Sequence, residues 1–211
     1  MCNFTYSQGK LGLEKLGDAD WRALREALAR QRHETVREDG NPTDLINVLR
    51  FNGSTYKSEY LRFGLIPHWF QPDRHRKTIN TQARSETVEE LPSFRDSFRD
   101  HRCIVVIDGF YEWTEQRVKT AISGEDGNPL LIAGIWDCWT SPEGEVIESV
   151  AMVTTEATEW MMPFQDRQPL FLEPEEVPTW VEGSLNDARS LLRTSQIRLK
   201  ANPPLDNGSL F

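Results

Sequence analysis

Five short stretches hold residue types that packing alone does not call for. The first is the start, "MCNFTY", where Cys2 follows the initiator Met. Buried free cysteines usually sit inside packed elements, whereas chain ends are poorly ordered unless tied down. Cys2 is therefore either carried inward by an end strand or part of a chemically equipped terminus. The second stretch, "FGLIPHWF" (Phe63–Phe70), ends a strand-like run with a proline and the aromatic pair Trp69 and Phe70. Such rings stack on nucleic-acid bases of any sequence, and they also fill cores. The third, "TINTQARSETV" (Thr78–Val88), reads as a polar strand carrying Arg84. A guanidinium fork suits a phosphate or an edge carboxylate. The fourth, "DGFYEW" (Asp108–Trp113), sets Glu112 between two aromatics. A glutamate there is either a proton shuttle or a surface residue on a half-exposed strand. The fifth, "VTTEATEWMMPFQDRQP" (Val153–Pro169), reads as a strand, a helical turn and a polar knot.

The elements that would position these residues follow from composition and patterning. With 211 residues, 27% charged and 38% hydrophobic, the chain reads as a soluble globular protein. The strongest apolar run, "CIVVI" (Cys103–Ile107), is far too short to span a membrane. Three cysteines, Cys2, Cys103 and Cys138, form an odd set without metal-like spacing, so no metal site is expected from them. Unpaired cysteines fit a reducing, cytoplasmic setting. A net charge of −9 argues against a broad nucleic-acid-binding face. The segment Arg62–Arg102 departs from this, with eight Lys/Arg against six Asp/Glu and three histidines, His68, His75 and His101. A local basic groove is compatible with that distribution.

"DADWRALREALARQRHE" (Asp18–Glu34) has the apolar stripe of a helix. "GNPT" (Gly40–Thr43) is a turn, and "SFRDSFRDHR" (Ser93–Arg102) a short helix led by Ser93. "DLINVLRF", "EYLRFGLI", "CIVVID", "GFYEWT", "LLIAGIWDCW" and "ESVAMVTTE" read as strands. The polar segment Glu115–Pro129 reads as an exposed hairpin loop, and two short helices follow near the end. Many strands without regular βα alternation predict an α+β fold: a curved, largely antiparallel β-sheet or barrel with short peripheral helices. One domain is expected over residues 1–200, with a loose tail over 201–211.

"FGLIPHW", "ARSETVEELPSFRDSF", "RCIVVIDGFYEW", "IAGIWDCW" and "TTEA" together resemble the SRAP family, SOS response-associated peptidase-like proteins understood as abasic-site processing proteins. The resemblance runs from residue 2 to about Val181. It implies removal of Met1, so that Cys2 becomes the true N-terminus. An N-terminal cysteine carries an amine and a thiol on adjacent carbons, and the pair condenses with an aldehyde to a thiazolidine ring. The opened sugar of an abasic site supplies such an aldehyde. The resemblance also makes Glu112 the acid/base, Arg84 a phosphate ligand, Trp69 and Phe70 an aromatic wedge, and Pro42 and Thr155 small groove contacts. Arg167 joins the DNA-binding set. The implied partner is single-stranded DNA containing abasic sites, with no membrane, no metal and no cofactor, the protein acting on the nucleoid when DNA is damaged; the sequence does not set the oligomeric state, and a monomer is the expectation.

This chain departs from the family pattern in three places. Its start reads Cys2-Asn3-Phe4 where the family has Cys-Gly-Arg, which removes one DNA contact. The family's Asn-Ala-Arg is here Asn80-Thr81-Gln82-Ala83-Arg84, so either Asn80 or Gln82 takes the amide position; a two-residue shift keeps the strand face. The family's His-Asp-Arg-Met-Pro is here Gln165-Asp166-Arg167-Gln168-Pro169. Gln165 can position a group but does not titrate as histidine does. Covalent capture of abasic sites, with altered chemistry, is therefore the leading expectation. A non-catalytic single-strand-binding module and a thiol peptidase acting on its own N-terminus are the alternatives.

Overall fold

The computed structural model describes residues 5–6, 39–74, 80–114 and 117–202. Cys2 and the helix expected over Asp18–Glu34 lie outside the described residues. In chain order the strands are β1 (Thr5–Tyr6), β2 (Asp39–Gly40), β3 (Leu45–Phe51), β4 (Tyr56–Phe63), β5 (Gln82–Arg84), β6 (Arg102–Ile107), β7 (Gly109–Trp113), β8 (Lys119–Gly124), β9 (Leu130–Thr140), β10 (Val146–Glu156), β11 (Arg167–Pro169) and β12 (Leu199–Asn202). Short helices α1 (Arg95–Asp100), α2 (Val177–Val181) and α3 (Leu185–Ser190) lie among them.

Five strands close into a barrel in the order β10-β4-β3-β6-β9, with β9 pairing back onto β10 from Val146↔Thr140 to Met152↔Gly134. The β10–β4 contact is parallel, and the barrel's other pairings are antiparallel. The pleat sends alternate residues to opposite faces. Ile46, Val48, Leu61, Phe63, Cys103, Val105, Ile107, Leu130, Ile132, Val150 and Met152 fill the interior. Ile104, Val106, Leu131, Ala133, Ile135, Ala151 and Val153 face outward and are covered by Phe98 of α1, Trp180 of α2 and Ala188 of α3. That double burial is why "CIVVI" and "LLIAGI" read as unbroken apolar runs. Gly134 is required by close approach, since a Cβ there would meet the Cys103 Sγ at 2.9 Å and the Val105 Cγ2 at 3.1 Å. Burial pushes the Cys103 thiol up, making it a core residue rather than a nucleophile.

One end of the barrel is closed by charge. Arg50 lies over Trp136 at 4.3 Å and bonds Glu59 at 2.5 Å and Glu148 at 2.6 Å. At the other end a second sheet, β12-β8-β7-β1-β2, leaves the barrel where β6 runs into β7. Phe110 of β7 and Ile122 of β8 join the interior cluster and hold this sheet on it.

Four expectations need correction. Lys119–Gly124, expected inside an exposed loop, is strand β8, pairing with both β7 and β12. Its buried face holds Thr120, Ile122 and Gly124, two of them too small or polar to register as hydrophobic. Of the polar strand expected over Thr78–Val88, the described residues from Asn80 on hold the three residues of β5 plus an isolated Leu65↔Asn80 bridge, followed by turns. The helix near Ser93 begins at Arg95, with Phe94 at its N-cap and no side-chain cap. Ala201 and Asn202, expected in the loose tail, belong to β12.

Candidate active site

Pro42, Asn80, Gln82, Arg84, Thr155 and Arg167 lie towards the barrel end where β3 starts and β4 stops. Pro42 sits there in a turn whose Asp44 side chain accepts the Asn41 N–H at 3.1 Å. Thr43, at φ 82, donates its N–H to the Phe63 carbonyl at 2.7 Å. The rim is then built on the last residues of β10. β5 lies parallel on one side, pairing Gln82 with Met152 and Arg84 with Thr154. β11 lies antiparallel on the other, pairing Gln168 with Thr155 and Arg167 with Glu156.

Along β5 the burial alternates. Thr81 and Ala83 point to the core, while Asn80, Gln82 and Arg84 share the opposite face. Asn80 donates its side-chain N–H to the Leu65 carbonyl at 3.3 Å. Asn80 and Gln82 therefore keep one face, as the two-residue shift requires. Arg84 is exposed, and no described residue engages its guanidinium in a hydrogen bond or ion pair.

Arg167 is placed very differently. It bonds both Glu86 oxygens, at 2.8 and 2.9 Å, and donates to the Thr154 carbonyl at 2.7 Å. The Arg167 hydrogen bond in turn holds the Glu86 carboxyl below its ordinary range. Thr155 is 2% exposed, so its side chain belongs to the wall rather than to an open groove.

Gln165 sits in a knot over residues 157–166, closed by the Ala157 N–H on the Asp166 carbonyl at 3.0 Å. The Gln165 N–H bonds the Met161 carbonyl at 3.0 Å, and Met161 itself is a buried plug in the barrel interior. Gln168 pins the knot from below. Its Oε1 accepts the Thr158 N–H at 2.8 Å and its Nε2 donates to the Ser195 carbonyl at 3.2 Å. Leaving one such buried backbone group unpaired costs about 1–3 kcal/mol. The sequence motif assigns Gln168 no role of its own. Its signal was a polar residue beside the apolar run that follows it.

Glu112 is 1% exposed, which removes the reading of it as a surface glutamate. Its alternation partner on the buried face of β7 is Phe110, which stacks on Phe171 at 6.1 Å. Trp113, on the opposite face, is exposed. β7 is also the strand that receives the start of the chain, with Thr5 opposite Phe110 and Tyr6 opposite Gly109.

Trp69 and Phe70 follow β4 on the loop that carries His68. The preceding residue, His68, is fixed by its backbone N–H to Asp137 at 2.9 Å, opposite the early part of β10 where Asp137 pairs with Ser149. Trp69 donates to the Pro92 carbonyl at 3.2 Å. Phe70 packs edge-on against Trp139 at 5.9 Å, so ordinary packing accounts for that ring. A cavity of about 630 Å³ lies elsewhere, lined by Leu130, Leu172, Asp126, Glu173 and Glu175 among others, and none of the expected site residues lines it. Among the described residues no His/Cys/Asp/Glu group is arranged to hold a metal ion.

Comparison with known proteins agrees with this architecture. The profile of the family described as SOS response associated peptidase (SRAP) matches residues 11–203. "Abasic site processing protein YoqW" of Bacillus subtilis (strain 168) is 34% identical over 151 residues, covering 69% of this chain and 66% of that protein. "Abasic site processing protein HMCES" of Rattus norvegicus is 32% identical over 181 residues, covering 70% of this chain and 49% of its own length. The chain thus spans just under two thirds of the first relative and about half of the second. A solved protein from Bacteroides thetaiotaomicron superposes with TM-score 0.79 at 23% identity, over 97% of this chain and 93% of its own. One from Bordetella bronchiseptica gives 0.78 at 25%, over 96% and 99%. On the strength of a profile that reaches across most of its length, the chain belongs to the SOS response associated peptidase (SRAP) family.

Proposed function

We propose that this protein captures abasic sites in single-stranded DNA covalently, through the amine and thiol of Cys2 exposed by removal of Met1. Two similar proteins carry abasic site processing in their names. The observation that carries the reading is the pairing of β1 with β7. Thr5 lies opposite Phe110, two residues before the buried Glu112. Three residues of chain reach at most about 11 Å, and that short span supports Cys2 and Glu112 acting together.

The chemistry balances without an oxidant or a cofactor. The Cys2 amine adds to the aldehyde carbon of the opened sugar, and water leaves to give an imine. The thiol adds to the same carbon and its proton passes to nitrogen, closing the five-membered ring. A terminal amine has a pKa of about 8 and is therefore partly neutral at neutral pH. Glu112 moves the proton that opens the sugar ring. Arg84, exposed at the rim, meets the strand's phosphate. Gln165 orients by hydrogen bonding and supplies no titrating proton.

Replacing Glu112 by Gln keeps the shape and removes the proton transfer. The expected outcome is unchanged binding of an abasic oligonucleotide with covalent capture slowed about 10²–10⁴-fold. Capture at the wild-type rate would overturn the role of Glu112. Strand binding with no covalent product in the wild type would favour the non-catalytic reading that Gln165 otherwise invites.

A further inference from the structure

The segment 157–166, which carries Gln165 between β10 and β11, also presents an aromatic ring that the capture chemistry does not use. Trp160 is 40% exposed, and Met162 is 59% exposed. The Trp160 ring lies tilted at 38° against Phe164, with centroids 5.5 Å apart. The backbone beneath the ring is held in place. The Met161 and Met162 N–H groups donate to the Thr158 carbonyl at 2.9 and 3.0 Å, and the Phe164 N–H donates to the Met161 carbonyl at 2.8 Å. Met161, the next residue along, is fully buried in the barrel interior. Trp160 is thus anchored through its neighbours while its own ring stays exposed. A pre-positioned aromatic of this kind loses little freedom when a partner covers it.

The ring pair stands at the same barrel mouth as Arg84. Gln82 pairs with Met152, an interior residue, so Gln82 and Arg84 stand on the interior side of β5. Phe164 packs against that same interior cluster, which also holds Phe110, two residues before Glu112 on β7. The segment leaves β10 after Glu156, two residues beyond the Thr154 that faces Arg84, or about 7 Å along the strand. From residue 156 to 166 the chain carries Glu156, Glu159 and Asp166 and no Lys or Arg. Such a surface repels a phosphate and leaves the ring to a flat, uncharged group.

We propose that Trp160, backed by Phe164, stacks on the base next to the abasic site in the bound single strand, while Arg84 takes a phosphate of the same strand. This rests on the single-strand reading above. An abasic site leaves the neighbouring base with one face unstacked, and the indole supplies the ring that the strand has lost. Stacking on an aromatic side chain tolerates any base, because every base has a π-face. A protein partner suits the surface less. Such an interface takes about 20–30 residues a side, whereas one ring pair and Met162 stand here among three acids.

The test is a cycle between the ring and the base. Affinity is measured for a single-stranded oligonucleotide carrying one reduced, unreactive abasic site flanked by adenines, and again with the adenine on one side, then on the other, replaced by a second baseless spacer. Trp160→Ala is expected to weaken binding of the adenine-flanked strand by about 5- to 150-fold. That loss is expected to vanish when the adenine on one particular side is missing. The slope of log affinity against log salt is expected to stay the same, because the ring neutralises no phosphate. Trp160→Phe keeps a ring, guards against misfolding and is expected to retain most of the affinity. A Trp160→Ala protein that binds as the wild type does, or whose loss is equal with and without either neighbouring base, would overturn the stacking site and leave the single-strand reading intact. A wild type that binds no strand would overturn both. A wild-type dimer in sedimentation that Trp160→Ala turns into a monomer would assign the ring to a second copy of the chain and overturn the assignment to a base. A wild type that shows the base-dependent loss but gives no covalent product with an unreduced abasic strand would remove the capture reaction and leave the stacking site standing.

Discussion

Two arginines flank the end of β10, and they do opposite things. Arg84 reaches it from β5, opposite Thr154, and Arg167 reaches it from β11, opposite Glu156. Arg167 is spent inside the protein, with both its terminal nitrogens on Glu86 and one also on the Thr154 carbonyl. Arg84 is exposed, with its guanidinium unengaged by any described residue. A fork that suits a phosphate equally suits a carboxylate and a carbonyl. The residue type alone therefore does not separate a ligand from a brace. What separates them is whether the fold supplies an acceptor first.

This contrast predicts a crossing of effects. Arg167→Met should lower stability by about 1–2 kcal/mol, mostly through the lost bond to the Thr154 carbonyl, because Glu86 is half exposed and screened. For a chain of this size that is a melting temperature lower by several degrees, on the order of 2–8 °C. Arg84→Ala should leave melting within about 2 °C but flatten the salt dependence of single-strand binding by about 0.7 in slope. If Arg84→Ala melts early, or if Arg167→Met flattens the slope as much, the two roles are not as distinct as the geometry makes them.

The smallest expected effect is acid-dependent. Arg167 holds the Glu86 carboxyl below its ordinary range, so the pair's contribution is present above the unfolded carboxyl pKa, about 4.3. It fades as the pH falls through the lower folded value. Glu86→Gln should therefore be slightly less stable than wild type at neutral pH and should converge with it in acid. A difference that widened towards low pH would contradict the sign.

How much of this was legible in the sequence differs between the barrel and its rim. The barrel strands were readable because β6, β9 and β10 are buried on both faces and their apolar runs are unbroken. β8 was not, because its core face is Thr120, Ile122 and Gly124. Glu112 was legible as a candidate from its place between aromatics, but its burial follows from the second sheet packing on the barrel end, a long-range contact no local pattern carries. The roles of Gln168 and Asp137 were hidden for the same reason. Gln168 bonds residues 10 and 27 positions away, and Asp137 holds a histidine 69 positions away. Trp69 and Phe70 looked like a pair with one task, yet the structure gives Phe70 a packing partner in Trp139.

The most direct measurement is a denaturing gel of protein, with Met1 removal confirmed by mass, mixed with a single-stranded oligonucleotide that carries one abasic site. The expected result is a shifted band that survives denaturation and disappears with Cys2→Ala. A band that persists in Cys2→Ala, or no band from wild-type protein that still binds the strand in a native gel, would contradict capture through the N-terminal cysteine.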